Sequence, residues 1–316
     1  MFSMSWVNDE KPLLVIHGGA GTWKNIEDLS SLKKVLEESL AHGIEEAKNG
    51  NCIDMVTEAI RVMEDSNILN AGLGSTLDFL GNITMDSGII NGKTGKAGAV
   101  AAVTYPKNPI KLARYVLEKT PHLLLAGQYA DELAKKIKLE RHPGPSQRSL
   151  ELWRRLKYSK DNVQDKFVLE RINAAKSIGF DTVGAVALDN DNCLSAGVST
   201  GGVSLKLPGR VGDSPIMGAG FYANKKIAVA ATGIGEIIIL SLLSYNTAIV
   251  YESYNSISEA FLTMINRINA SYSKDTVGMI GLDYKGNIGA IYNTEAMPWG
   301  FANNKRKIEI HGLPRQ

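Results

Sequence analysis

The stretch Asp181-Thr182-Val183-Gly184-Ala185-Val186-Ala187-Leu188-Asp189 returns later as Asp275-Thr276-Val277-Gly278-Met279-Ile280-Gly281-Leu282-Asp283. Each copy is a short run of small and branched apolar residues that closes on Leu-Asp. A turn and a second apolar run follow, ending in Thr200 or Thr294. Apolar runs of this length between turn residues read as buried strands, and two joined by a tight turn pair antiparallel. A repeated hairpin therefore predicts a sheet architecture.

Outward from the repeat, strands are expected over 182–188, 193–199, 226–232, 276–282 and 288–293, with helices at about 235–249 and 256–269. Upstream, Pro12 to His17 reads as a strand ending in the glycine run Gly18-Gly19-Ala20-Gly21. Leu29, Leu32, Leu36, Leu40, Ile44 and Ala47 then recur at helical spacing, with Asn49-Gly50 as the stop. Asp54 is positioned to cap a second helix carrying Ile60 and Met63, glycine-rich turns and short strands fill 70–104, and helices cover 109–138. Long amphipathic helices without a regular βαβ alternation predict an α+β fold with helices stacked on sheets. Pro143-Gly144-Pro145-Ser146 breaks the pattern, and the charged residues after it give 141–181 the character of a mobile linker.

Composition narrows the function. A formal charge of +2 in 316 residues is too small for a protein whose main partner is nucleic acid. The densest basic stretch, Lys135 to Lys176, is interleaved with Glu140, Glu151, Asp161, Asp165 and Glu170, so it reads as a solvated connector. No apolar run reaches the roughly 20 residues that span a bilayer. Met1 to Lys11 lacks a secretory pattern, and two cysteines, Cys52 and Cys193, make neither a disulfide framework nor a metal cluster. A cytoplasmic protein with no membrane partner is expected.

Several motifs fail on context. Gly197-Val198-Ser199-Thr200-Gly201 matches a serine-hydrolase elbow, but Gly202, Pro208 and Gly209 cannot supply the helix that must follow. Gly218-Ala219-Gly220 lacks the preceding strand of a dinucleotide site. Gly92-Lys93-Thr94 lacks the first glycine of a phosphate loop, and His17, His42, His122, His142 and His311 show no zinc spacing.

What survives is a set of hydroxyls, glycines and one charge pair. Thr182 lies where the connector meets a buried strand, and Thr200 ends the partner strand of its hairpin. Thr232-Gly233-Ile234-Gly235-Glu236 closes a strand and opens a helix, where backbone N–H groups suit an oxyanion. Arg210 and Asp213 form an opposed pair that can bind a zwitterionic amino-acid head. Singly, each has an ordinary reading: surface ion pair, strand threonine, helix cap.

In order, these motifs resemble the plant-type asparaginase and isoaspartyl-peptidase family of N-terminal-nucleophile hydrolases. The resemblance also takes in His17-Gly18-Gly19-Ala20-Gly21, Asn70-Ala71-Gly72-Leu73-Gly74-Ser75, Met85-Asp86-Ser87-Gly88, Ser199-Thr200-Gly201-Gly202 and Arg210-Val211-Gly212-Asp213-Ser214-Pro215. It covers nearly the whole chain except the 141–181 connector.

The resemblance implies a four-layer αββα sandwich in one domain, 1–316, that cuts itself between Asp181 and Thr182. The products would be an α subunit, 1–181, and a β subunit, 182–316, assembled as a dimer of αβ heterodimers. It implies hydrolysis of asparagine and β-aspartyl dipeptides, with Thr182 as nucleophile, Thr200 orienting it, and Thr232 and Gly233 holding the oxyanion. Arg210 would hold the substrate carboxylate and Asp213 its amine, with Gly235 lining the pocket and Gly18 and Gly19 positioning the scissile bond. No catalytic cofactor is implied. A structural sodium ion is, on the backbone carbonyls of Met63, Glu64, Ser66, Leu69, Ala71 and Leu73. Asp181 departs from the glycine usual before the nucleophile and is more like glycosylasparaginase or the threonine aspartase. Arg210-Val211-Gly212-Asp213-Ser214-Pro215 argues against the latter. Glycosylasparagine hydrolysis and an uncleaved homologue that only binds aspartyl ligands remain as alternatives. Thr276 shares the local Asp-Thr-Val-Gly sequence without a linker before it and reads as structural.

Overall fold

The computed structural model describes residues 2–7, 10–23, 28–158, 182–305 and 307–314. Its strands form two sheets. The larger runs from Ile308–His311 (β13) and Trp299–Asn303 (β12) through Leu13–His17 (β2), Val183–Leu188 (β6) and Leu194–Thr200 (β7). It ends with Met85–Asn91 (β3), Ala97–Val103 (β4) and Leu124–Ala126 (β5). The smaller runs Phe2–Val7 (β1), Asn287–Tyr292 (β11), Val277–Asp283 (β10), Ile227–Gly233 (β9) and Phe221–Ala223 (β8). The two copies of the repeat are antiparallel hairpins, as read, but they lie in different sheets: β6–β7 in the larger and β10–β11 in the smaller.

Strand alternation sorts the side chains into three apolar layers. On β2, Leu14 and Ile16 join a cluster with Leu32, Leu36 and Leu40 of α1 (Leu29–Glu45) and Met55, Ala59 and Ile60 of α2 (Cys52–Asp65). Leu13 and Val15 face the other way. They meet Val186, Ala196, Val198, Ala228, Ala230, Ile280 and Ala290 between the sheets. On the far side, Val229, Ala231, Met279 and Ile291 pack against α7 (Leu243–Tyr254) and α8 (Ile257–Ser271). Helices thus cover the outer face of each sheet, as the α+β reading expects.

The helix starts carry their own signals. Asp28 caps α1 by accepting the N–H groups of Ser30 and Ser31. The cap of α2 is Asn51, and Asp54 reaches back to the Asn51 N–H in a capping box. Asp54 is therefore the third residue of that helix, and not the cap itself. The expected helix over 235–249 is two, α6 (Gly235–Ser241) and α7, broken at Leu242, whose φ of 43° is left-handed. The regions expected to be helical over 109–138 contain α3 (Pro109–Lys119) and α4 (Gly127–Lys136).

The connector begins as ordered structure. Ser146 of the Pro-Gly-Pro-Ser break caps α5 (Gln147–Lys157), and Trp153 on α5 donates its ring N–H to the Asp78 carbonyl at 2.9 Å. The rest of the linker, 159–181, lies outside the described residues. Cys52 and Cys193 are buried and unbridged. The fold nevertheless brings them together with Asp189, the ligating atoms of all three lying within 4.8 Å of one another. No helix among the described residues is long and apolar enough to cross a membrane.

The space between the sheets is filled by buried apolar side chains, so its residues should dominate stability. Truncating fully buried Ile280 to alanine is expected to cost about 2–5 kcal/mol. Tyr129→Ala, at a side chain 84% exposed on α4, should shift stability by no more than about 0.5 kcal/mol. Denaturant unfolding of the two variants measures the contrast.

Candidate active site

The alternation that builds the layers also gathers the hydroxyls. Thr200 follows Ala196 and Val198 on the β7 face that looks into the gap between sheets, and Thr232 follows Ala228 and Ala230 on the same side of β9. Thr182 shares the parity of Val186 and Leu188 on β6. Pairing of Val183 with Ser199 sets Thr182 opposite Thr200 one step further along. The Thr182 hydroxyl donates to Thr200 Oγ1 at 3.3 Å, both residues being buried. At the neighbouring end of β9, Thr232 Oγ1 accepts the N–H of Ala20 from the glycine loop at 3.2 Å. The Thr232 hydroxyl proton is left to donate elsewhere.

A narrow cleft lined by Thr182, Thr200, Gly202, Val203, Arg210, Asp213 and Gly233 opens on these hydroxyls. Glycines make the room. A side chain on Gly235 would put its first carbon 2.7 Å from Arg210 Nη2 and 2.9 Å from Asp213 Oδ1. Gly233 has φ of 134°, and its missing Cβ would lie 2.2 Å from the Thr276 carbonyl oxygen. Thr276 itself is closed off: its hydroxyl donates to the Ser273 carbonyl at 3.0 Å, and its own carbonyl accepts the Ile234 N–H.

The charges are arranged unevenly. Arg210 is held in a bidentate pair by Glu236, both bonds 3.0 Å. Burial pushes the Asp213 carboxyl up to about 7, against the pull of the neighbouring Arg210 charge, and its Oδ2 has no hydrogen-bond partner among the described residues. A desolvated carboxylate without a donor is costly, and an ammonium group from a ligand would relieve it. His17 is wholly buried beneath the hairpin. Desolvation drives it down to about 3 despite the opposing pull of the Thr182 backbone, so its ring is neutral. Its Nε2 would lie 2.2 Å from a side chain on Gly184.

Thr182, Thr200, Thr232, Gly233, Arg210, Asp213 and Gly235 are thus brought to one place, while Asp181 lies outside the described residues. Met63 and Glu64 lie in the last turn of α2, and Ser66, Leu69, Ala71 and Leu73 in the separate turn that follows it. It touches the site through Asn70, whose Nδ2 donates to the Gly202 carbonyl at 2.6 Å. Ser199 is no elbow nucleophile: it faces away from the gap and donates to Glu64 Oε1 at 2.6 Å. Sequence reading passed over Glu236 as a partner of Arg210, and over Lys206, which is buried beneath the Gly201-Gly202 turn. A lone lysine in a loop carries no periodic signal that could have marked it.

Hydroxyls gathered beside the Arg210 guanidinium and a buried carboxylate suit hydrolysis of a small zwitterionic molecule. Comparison with known proteins agrees on the class. Residues 10–311 match a family described as Asparaginase. The chain is 43% identical over 297 residues to the plant-type L-asparaginase of Pyrobaculum calidifontis, covering 91% of this chain and 96% of that one. It is 40% identical over 294 residues to that of Pyrococcus abyssi, covering 91% and 95%. With the isoaspartyl peptidase of Escherichia coli it shares 36% over 321 residues, covering 95% and 96%. The protein is a hydrolase, and it belongs to the asparaginase family.

The raised Asp213 carboxyl sets a pH dependence. Below about 7 the free protein holds this group protonated, and the charge that would receive an ammonium is lost. Aspartate binding measured by calorimetry should therefore weaken as pH falls through about 7, by up to about tenfold per unit. Asp213→Asn should bind weakly throughout, with that dependence removed.

Proposed function

We propose that this chain is a self-processing threonine amidohydrolase of the N-terminal-nucleophile type, acting on L-asparagine and β-aspartyl dipeptides. The observation that carries the reading is the Thr182 hydroxyl, 3.3 Å from that of Thr200, in a cleft shared with Arg210 and Asp213. The helix–sheet–sheet–helix layering supports the fold type, and the names of the relatives supply the substrates.

In a continuous chain the Thr182 nitrogen is an amide and cannot take a proton. A threonine hydroxyl needs such a base to become a nucleophile. In the proposed first step the Thr182 hydroxyl attacks the adjoining Asp181 carbonyl, held against it by the chain itself, and the hydroxyl proton passes to the displaced amide nitrogen, giving an ester and a free amine. Water then hydrolyses the ester, releasing a carboxylate on Asp181 and restoring the hydroxyl. The new α-amine has a pKa of roughly 7.7–8, so a useful share is unprotonated near neutrality. In turnover that amine takes the hydroxyl proton as Oγ1 attacks the substrate's side-chain carbonyl, and it passes the proton to the leaving nitrogen. Water resolves the β-aspartyl ester to aspartate.

Thr200 orients the attacking oxygen, and the Thr232 hydroxyl with the Gly233 N–H receives the oxyanion. Arg210 takes the α-carboxylate and Asp213 the α-ammonium, with Gly235 leaving space between them. A sodium ion on the carbonyls of Met63, Glu64, Ser66, Leu69, Ala71 and Leu73 fits this turn. The turn needs Gly72 and Gly74 because the Glu64 and Leu69 carbonyl oxygens crowd to within 2.5 and 2.1 Å of where a Cβ would stand. Bound there, the ion would steady the turn and, through Asn70, the Gly202 carbonyl. Assembly as a dimer of processed heterodimers is supported by an exposed apolar stretch on α6 and α7 that includes Leu240, Tyr245 and Ile249.

Intact-mass spectrometry of purified protein should find fragments 1–181 and 182–316, the second starting Thr-Val-Gly-Ala. Thr182→Ala should stay whole and Thr276→Ala should still split. A panel of asparagine, β-aspartyl dipeptides and N-glycosylated asparagine then ranks substrates. Full activity from a chain still joined at 181–182 would refute the mechanism. Light scattering should give twice the chain mass.

A further inference from the structure

The peptide unit between Gly201 and Gly202 is gripped at both ends. Its N–H, belonging to Gly202, donates to Thr200 Oγ1 at 2.9 Å. Its carbonyl, belonging to Gly201, accepts from Lys206 Nζ at 2.8 Å. The same ammonium donates to the Thr84 carbonyl at 2.7 Å, and only 4% of Lys206 is exposed. Asn70 fixes the turn from the other side: its carbonyl accepts the Gly201 N–H at 3.0 Å, its Nδ2 holds the Gly202 carbonyl, and Thr76 Oγ1 donates to that carbonyl at 3.1 Å.

Two features separate this from incidental packing. A buried ammonium costs several kcal/mol unless something repays it. Here, among the described residues, it contacts no carboxylate within salt-bridge distance, and its hydrogen bonds go to two backbone carbonyls. Desolvation lowers it to about 8, with the charges of Asp86 and Asp78 pulling it up and that of Arg210 pushing it down. The ammonium therefore stays mostly charged near neutrality. Secondly, Gly202 has φ of 78°, and a Cβ there would lie 2.8 Å from Lys206 Nζ. The turn takes a conformation that favours glycine and so brings its backbone onto the lysine. A cation on an amide oxygen polarises that amide and strengthens the bond its N–H donates.

We infer that Lys206 is a positioning residue for the threonine pair: through the Gly201-Gly202 peptide it fixes and polarises the Thr200 hydroxyl that meets Thr182. With one lone pair of Thr200 Oγ1 committed to the Gly202 N–H, the other lone pair and the hydroxyl proton are directed at Thr182 and the cleft. Lys206 touches neither the substrate nor the nucleophile. This rests on the threonine mechanism proposed above.

The test is turnover of a β-aspartyl dipeptide, together with the rate of self-cleavage, in wild type, Lys206→Gln, Thr200→Val and the double variant. Lys206→Gln keeps a donor for the two carbonyls but removes the charge. It should lower kcat and self-cleavage about tenfold while KM stays within about twofold, since Arg210 and Asp213 are untouched. In the Thr200→Val background the same change should add less than about twofold, because the lysine acts through that hydroxyl. Additive losses in the double variant, a rise in KM alone, or wild-type kcat in Lys206→Gln would each overturn the inference. If neither Lys206→Gln nor Lys206→Met folds, as judged by circular dichroism, the lysine serves folding and the inference is again overturned. A wild-type chain that neither cuts itself nor turns over sinks the mechanism first, which separates the two failures.

Discussion

Everything at this site depends on strand register. The side-chain period of a strand is two residues, so one slip between β6 and β7 would send Thr182 or Thr200 into the helical layer and bring Ser199 into the gap. Register is held because both faces of these strands are buried against different partners. Val183, Ala185 and Ala187 fit beneath α2, while Val186 and Leu188 fit against the opposite sheet. A slip would exchange two sets of close-packed contacts at once. The meeting of these hydroxyls is therefore a by-product of core packing, and they need no separate device to find one another.

Charge is handled differently from shape. Asp213, Lys206 and Glu64 are all buried, and desolvation is the largest influence on each: it raises Asp213 to about 7 and Glu64 to about 8, and lowers Lys206 to about 8. Each would be more stable in water. Their partners divide them by task. Glu64 has donors in Ser199 and the Ile110 N–H on Oε1, with none on Oε2 among the described residues, and Lys206 has two carbonyls. Asp213 alone of the three lines the cleft: its Oδ1 stands beside Gly235, while its Oδ2, beside Gly220, has no donor among the described residues. A poorly satisfied carboxylate at the edge of a cleft is a reservoir of binding energy for a ligand that completes it.

How much of this was legible in the sequence follows from the kind of signal each part leaves. The hairpin repeat is local and periodic, so the strands and the adjacency of Thr182 and Thr200 could be read directly. The break at Leu242 could not, because a left-handed leucine is imposed by tertiary packing against its usual preference. Nor could the docking of α5: its helix is signalled, but its place depends on Trp153 meeting Asp78, far away in sequence. The meeting of Cys52 with Cys193 and Asp189 is hidden for the same reason. Arg210 and Asp213 were visible as a pair, yet the structure pairs Arg210 with Glu236 and leaves the Asp213 oxygen open. Sequence order marked which residues gather, and geometry decided which of them are spoken for.

The two Asp-Thr-Val-Gly copies show why the motif by itself carries no chemistry. Asn293 Oδ1 accepts the N–H groups of both Thr276 and Val277 at 2.9 Å, so the backbone at the second copy is clamped from the side. Its hydroxyl is spent on Ser273 and its carbonyl on Ile234. Yet that carbonyl is what requires glycine at position 233, the neighbour of Thr232 in the cleft. At the first copy the hydroxyl has, among the described residues, a single partner, another threonine, and lines the narrow cleft. One hairpin thus serves as a wall of the cleft whose hydroxyl edge the other supplies. Identical local sequences are assigned opposite roles by which sheet they join and by what stands across the gap.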